Sequence, residues 1–122
     1  MTPDRPEVAV RQLNPIFFGS GYQAPVTIGV AIRNPSKETI VITRVRLDAG
    51  PGMIEYSVRP AERIINETLA PEEAAATQIN MTAWTNIARL HSVEPLALRA
   101  FVEFERAGQH YREIYLFRQV SE

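Results

Sequence analysis

VTIGVAIRNPSKETIVITRVRL, residues 26–47, holds two apolar alternations separated by a polar break. Val26, Ile28, Val30 and Ile32 recur at every second position, the period of a strand with one buried face. Asn34-Pro35-Ser36-Lys37-Glu38 interrupts the pattern with turn-forming residues, which predicts a chain reversal rather than a crossover. Ile40-Val41-Ile42-Thr43-Arg44-Val45-Arg46-Leu47 then resumes as a second strand. The expectation is antiparallel, locally connected β-structure, a sandwich of two sheets.

Working outward, Pro3 and Pro6 keep residues 1–6 out of regular structure, ahead of an edge strand over residues 7–13 with Val8 and Val10 inward. Asn14-Pro15 ends that strand, and Gly19-Ser20-Gly21-Tyr22-Gln23 reads as a loop. On the other side, the strand over residues 39–48 runs into Ala49-Gly50-Pro51-Gly52, the strongest turn signal in the chain. Residues 53–58 alternate Ile54, Tyr56 and Val58, residues 63–66 add a further short strand, and Ala75, Thr77, Ile79 and Met81 mark the next. Residues 83–95 change period: Trp84, Ile87, Leu90 and His91 recur at helical spacing, with Thr85 as N-cap and Pro95 as stop, which predicts one short helix. Leu96, Leu98, Ala100, Val102 and Phe104 return to alternation, Ala107-Gly108 makes a tight turn, and residues 109–120 form the last strand. The sum is one all-β domain over residues 1–122, an antiparallel two-sheet sandwich of seven or eight strands with one short helix between late strands.

Length and composition agree. A chain of 122 residues, 45% hydrophobic and 22% charged, is long enough to bury a core without cross-links. Net charge is −1, so no global field recruits nucleic acid or an anionic membrane. Cysteine is absent, which excludes disulfides, thiolate metal sites and Cys nucleophiles. No apolar run approaches a membrane-spanning length. Twelve arginines stand against a single lysine, Lys37, a bias that reads as a GC-rich bacterial coding sequence or as a surface suited to bidentate pairing.

Candidate chemistry is sparse. The histidines are His91 and His110; Ser92 beside His91 is on the wrong side of a helical turn to serve as its nucleophile. Neither histidine belongs to a metal-ligand spacing, and Gly19-Ser20-Gly21 precedes a strand rather than a helix, so it cradles no phosphate. No catalytic residue, cofactor or metal is expected. Asn66-Glu67-Thr68 and Asn80-Met81-Thr82 are formal glycosylation sequons, read as coincidental.

The order of strand, Asn34-Pro35-Ser36, strand, then Leu69-x-Pro71-x-Glu73 entering another strand and a closing hairpin resembles bacterial immunoglobulin-like or fibronectin-type-III-like modules. Those modules carry a Leu-x-Pro-Gly-Glu turn at this place, where this chain has Glu72 for the glycine. The resemblance implies an immunoglobulin-like sandwich and no chemistry, since the fold hosts adhesion, chaperoning and linkage alike. The alternating strand followed by Asn-Pro is also similar to the water-stress domain of late-embryogenesis-abundant proteins, which implies a protective role without a fixed partner.

Function is expected on the outward faces of the strands. With Val41, Thr43, Val45 and Leu47 inward, Ile40, Ile42, Arg44 and Arg46 face out, beside an outward set of Arg99, Phe101, Glu103 and Glu105. Arg44 and Arg46 are then set to ladder against Glu103 and Glu105. On the last strand Tyr111, Glu113, Tyr115 and Phe117 share one parity and Ile114 and Leu116 the other, and alternation alone does not say which faces the core. The expected contact surface comprises Ile40, Ile42, Arg44, Arg46, Phe101, Tyr115 and Phe117, with a protein partner or a second copy as occupant and neither nucleic acid nor membrane. The loop Pro15-Ile16-Phe17-Phe18 is a second candidate, a plug for the sandwich or a contact in its own right, with one aromatic inward and one outward. The expected role is a non-enzymatic binding or structural module of a larger bacterial envelope or surface assembly. Its compartment stays open, periplasmic or surface after removal of a signal or anchor, or else cytoplasmic.

Overall fold

The computed structural model describes residues 5–90 and 94–120. Eight strands follow one another: β1 (Glu7–Gln12), β2 (Gln23–Arg33), β3 (Ile40–Ala49), β4 (Ser57–Val58), β5 (Ala61–Leu69), β6 (Ala74–Trp84), β7 (Leu96–Arg106) and β8 (Gln109–Val120). They form two four-stranded antiparallel sheets, β1-β2-β6-β4 and β5-β3-β7-β8. The inward positions of β2 and β7 alternate as read, and Ile28, Ile40, Ile42, Leu47, Leu96 and Leu98 are fully buried between the sheets. Each such side chain contributes about 1.5–3 kcal/mol over its exposed state.

β2 and β3 lie in different sheets and share no ladder, which corrects the expected reversal. Asn34 explains the difference, because it is fully buried and builds a corner between sheets instead of a hairpin. Its amide donates to the Glu38 carbonyl at 2.8 Å and the Leu69 carbonyl at 3.0 Å. Its side-chain oxygen accepts from the Ser36 amide at 3.0 Å and the Ser36 hydroxyl at 2.6 Å. Its own backbone bonds Glu73 and Glu72 across the turn that joins β5 to β6. One residue thus satisfies two inter-sheet connections at once, as a buried polar group must. In that second turn Glu72 has φ +71, the left-handed conformation that glycine takes most cheaply.

Apolar residues occupy both parities of β3 because of a bulge. Ile42 faces Phe104 of β7 and Arg44 faces Glu103, so Thr43 is an extra residue that flips the strand's inward set. Ile40 and Ile42 face the core before it, Val45 and Leu47 after it. The Thr43 hydroxyl donates to the Glu103 carbonyl at 3.0 Å, which ties the bulge to its neighbour.

No helix is present among the described residues, which corrects the element expected over residues 83–95. Trp84 still belongs to β6, where it pairs with Gln23 and Ser57. Thr85 does cap, accepting the Ile87 amide at 3.1 Å, but its own amide and hydroxyl are anchored to Tyr22 and Glu55. Those long-range bonds hold the chain to the sheet, and Arg89 at φ +56 ends the turn. His91 lies outside the described residues. Of the residues expected to be irregular at the start, 1–4 also lie outside them. Pro6 is buried, and its carbonyl accepts the Tyr115 hydroxyl.

Candidate contact surface

Three loops meet where β2 begins and β6 ends. In the first, the Asn14 side chain accepts the Thr27 amide at 2.7 Å, and Pro15 starts an extended run along which Ile16 and Phe18 are buried and Phe17 is 80% exposed. This is the split between adjacent aromatics that an extended chain imposes. Phe18 meets the Tyr56 ring edge-on, with centroids 6.0 Å apart.

The second loop leaves β3 at Gly50. A Cβ there would sit 2.9 Å from the backbone of Ala97 and Leu98, so only glycine permits the approach. Glu94 clamps the rest of this loop: its carboxylate accepts the Ile54 and Glu55 amides, and its carbonyl accepts the Tyr56 hydroxyl at 3.0 Å. Burial, reinforced by Glu94 and Glu55, pushes the Tyr56 phenol well above its ordinary range. Ile54, on the outside of the clamp, is 86% exposed. The third loop starts at buried Thr85, whose hydroxyl donates to the Glu55 carbonyl at 2.6 Å.

Five large apolar side chains therefore stand out from this one end: Phe17, Tyr22, Ile54, Trp84 and Ile87, all exposed. The backbone beneath them is hydrogen-bonded across the loops, so their positions are set before any contact forms. Tyr and Trp suit such a role because they offer large rigid area with a polar atom.

The expected surface on the β5-β3-β7-β8 sheet is arranged differently. Ile40, Ile42 and Tyr115 are buried, and Phe117 is half-buried on the inward parity of β8, which corrects their assignment to the outer face. The Tyr115 phenol is pushed up to about 12 by burial, against the lowering effect of Arg5, whose guanidinium lies 4.1 Å from the ring centre. Arg44, Arg46 and Phe101 do share the outer face, and β3, β7 and β8 are neighbours as read. Arg44 pairs with Glu103 at 3.3 Å and Glu62 at 3.8 Å. Arg46 instead reaches Asp48 at 4.0 Å, and Glu105 pairs with His110 at 3.2 Å. Exposed pairs of this kind stabilise little. Phe101 is covered by the guanidinium groups of Arg112, at 4.5 Å, and Arg99, at 5.1 Å. What remains apolar on that face is Ile64, opposite Arg44, with Ile114 and Leu116, at 65%, 51% and 56% exposed.

Among the described residues His110 pairs with Glu105, and no group of three His, Asp or Glu side chains could hold a metal ion. No helix among them is long and apolar enough to cross a membrane.

No protein-family profile matches the chain, and no curated protein does. Solved structures do. Structural-genomics target SoR45 aligns over 95% of this chain and 85% of its own, with a TM-score of 0.60 at 12% identity. A Bordetella pertussis protein described as ApaA aligns over 96% and 92%, with a TM-score of 0.58 at 15% identity. At these identities the likeness is one of fold.

Proposed function

We propose that this chain is a non-enzymatic binding module of the immunoglobulin-like or fibronectin-type-III-like kind, an element of a larger bacterial envelope or surface assembly. It engages a protein partner through the loop end. The strand order supports the module type: lettered in that scheme, the sheets run A-B-E-D and C′-C-F-G, with the departure that β4, in the D position, precedes β5 in sequence. The observation that carries the binding role is the cluster of Phe17, Tyr22, Ile54, Trp84 and Ile87 on three braced loops at one end. Loops at one end of a sandwich are where such folds place recognition, and exposed apolar clusters mark contact surfaces.

The test is photo-cross-linking in the producing cell, with p-benzoylphenylalanine in place of Phe17 or, as comparator, of exposed Ala31 on the outer face of β2. A discrete adduct from position 17 and none from position 31 is the expected outcome. Adducts from position 31 alone, or none from position 17, would remove the loop end from the contact.

A further inference from the structure

β4 and the residue after it cover only the end of β6, from Thr82 to Trp84, and leave residues 74–81 without a strand on that side. The ladder between β2 and β6 is regular from Gln23↔Trp84 to Arg33↔Ala74, so main-chain groups alternate in direction without interruption. Odd-numbered positions bond toward β2: the Glu73 carbonyl accepts from Asn34, and the Thr85 amide donates to Tyr22. Even-numbered positions face the other way, since the Thr82 carbonyl accepts the Arg59 amide at 2.9 Å. The main-chain groups of Ala76, Gln78 and Asn80 therefore point off the edge. Among the described residues one of these has a partner, the Gln78 carbonyl, which accepts the Arg63 guanidinium at 3.1 Å.

Unpaired edges are ordinarily guarded by charge, proline or bulges. β1 carries Glu7 and Arg11, β8 carries Arg112, Glu113 and Arg118, and β5 carries Glu62, Arg63 and Glu67 beside an irregular Asn66 at φ +53. β6 has no charged residue, proline, glycine or bulge from Ala74 to Trp84, the composition that accepts another strand most readily. Beside it, between the sheets, opens a cleft of about 310 Å³ with Val30, Ile32, Ile42 and Ile65 in its floor and Arg63 and Glu67 at its rim.

We propose that this edge and cleft form a strand-docking site for an extended peptide segment of a partner protein. The segment alternates aliphatic and polar residues. Its main chain adds to β6 along Ala76, Gln78 and Asn80, its aliphatic side chains enter the cleft, and Arg63 leaves the Gln78 carbonyl as it docks. Main-chain bonds then supply affinity and the alternate side chains specificity. A second copy fits less well, because the inward side chains of its own β6, Ile79 and Met81, are already spent in its own core and bring nothing to the cleft.

The test is amide hydrogen exchange by NMR on the full chain, with and without the acetylated nonapeptide Lys-Thr-Val-Thr-Ile-Thr-Val-Thr-Lys. The Ala76, Gln78 and Asn80 amides should exchange fast in the free protein and at least about tenfold more slowly with peptide. Arg63→Ala, which removes the competing donor, should bind about fivefold more tightly, the equivalent of one hydrogen bond. Gln78→Pro, at a position whose N–H makes no bond to β2, should lose binding, as should the same peptide N-methylated at alternate amides, a control that does not depend on the variant folding. Protection at β1, β5 or β8 instead, equal binding of the N-methylated peptide, or no protection at millimolar peptide would overturn the site. A free protein that dimerises with these three amides already protected would assign the edge to a second copy and overturn the peptide.

Discussion

The two ends of the sandwich are built on opposite plans. At the Asn34 end every side-chain hydrogen-bonding capacity of one buried amide is used, and two turns that each cross between the sheets are joined through it. At the loop end the backbone is braced just as firmly by Glu94 and Thr85, yet five large apolar side chains are left standing outside the brace. A fold that needed only to close itself would have no use for Phe17 and Ile54 in water. The contrast separates residues that hold the fold from residues the fold holds out.

That contrast predicts a graded set of outcomes. Asn34→Ala should have the largest effect, about 3 kcal/mol by denaturant unfolding, because it takes a hydrogen-bond partner from the buried Ser36 amide and the buried Leu69 carbonyl together. A loss below about 1 kcal/mol would mean that water enters the corner and the closed end is not closed. Ser36→Ala removes one arm of the same network and should cost about 1 kcal/mol. Glu72→Gly relieves the left-handed strain but gives up the exposed ion pair with Arg33, so the two largely offset and stability should rise by less than about 1 kcal/mol. Phe17→Ser with Ile54→Ser should move stability least, within about 0.5 kcal/mol, since neither side chain is in the core.

The buried phenols add a pH dependence. Tyr115 ionises at about 12 in the fold and near 10 when unfolded, so its neutral form is favoured by folding. Its contribution is complete below pH 10 and is lost as pH rises from 10 to 12, where the unfolded chain gives up its proton first. Alkaline unfolding monitored by circular dichroism should therefore lose part of its steepness in that window in Tyr115→Phe. An unchanged curve would show that the Tyr115 phenol is not buried in the fold.

Much of this was legible in the residues. The alternation of Val26 to Ile32 and of Leu96 to Phe104 pointed to the sandwich, and the adjacent pair Phe17-Phe18 to one inward and one outward ring. Ile40 and Ile42 misled because a bulge at Thr43 leaves no mark on an alternating pattern: a β-branched residue reads the same in or out of register. Trp84, Ile87 and Leu90 misled because helical spacing is a local signal, whereas Thr85 answers to Tyr22 and Glu55, 63 and 30 residues away. The exposure of Ile54 and Trp84 could not be read at all, since it depends on what the neighbouring loops leave uncovered. Tyr22 and Trp84 lie at the same end of the β2-β6 ladder because Gln23 pairs with Trp84, a partnership that the alternation of residues 75–81 stops short of marking.

The most direct test of the loop end as contact surface is quantitative affinity capture from the producing organism's extract. The baits are the unmodified chain, Phe17→Ser/Ile54→Ser, and Ile114→Ser/Leu116→Ser, all shown by thermal unfolding to be equally folded. A discrete protein retained by the first and third but lost from the second is the predicted result. The same protein retained by the second bait, or lost only from the third, would contradict it.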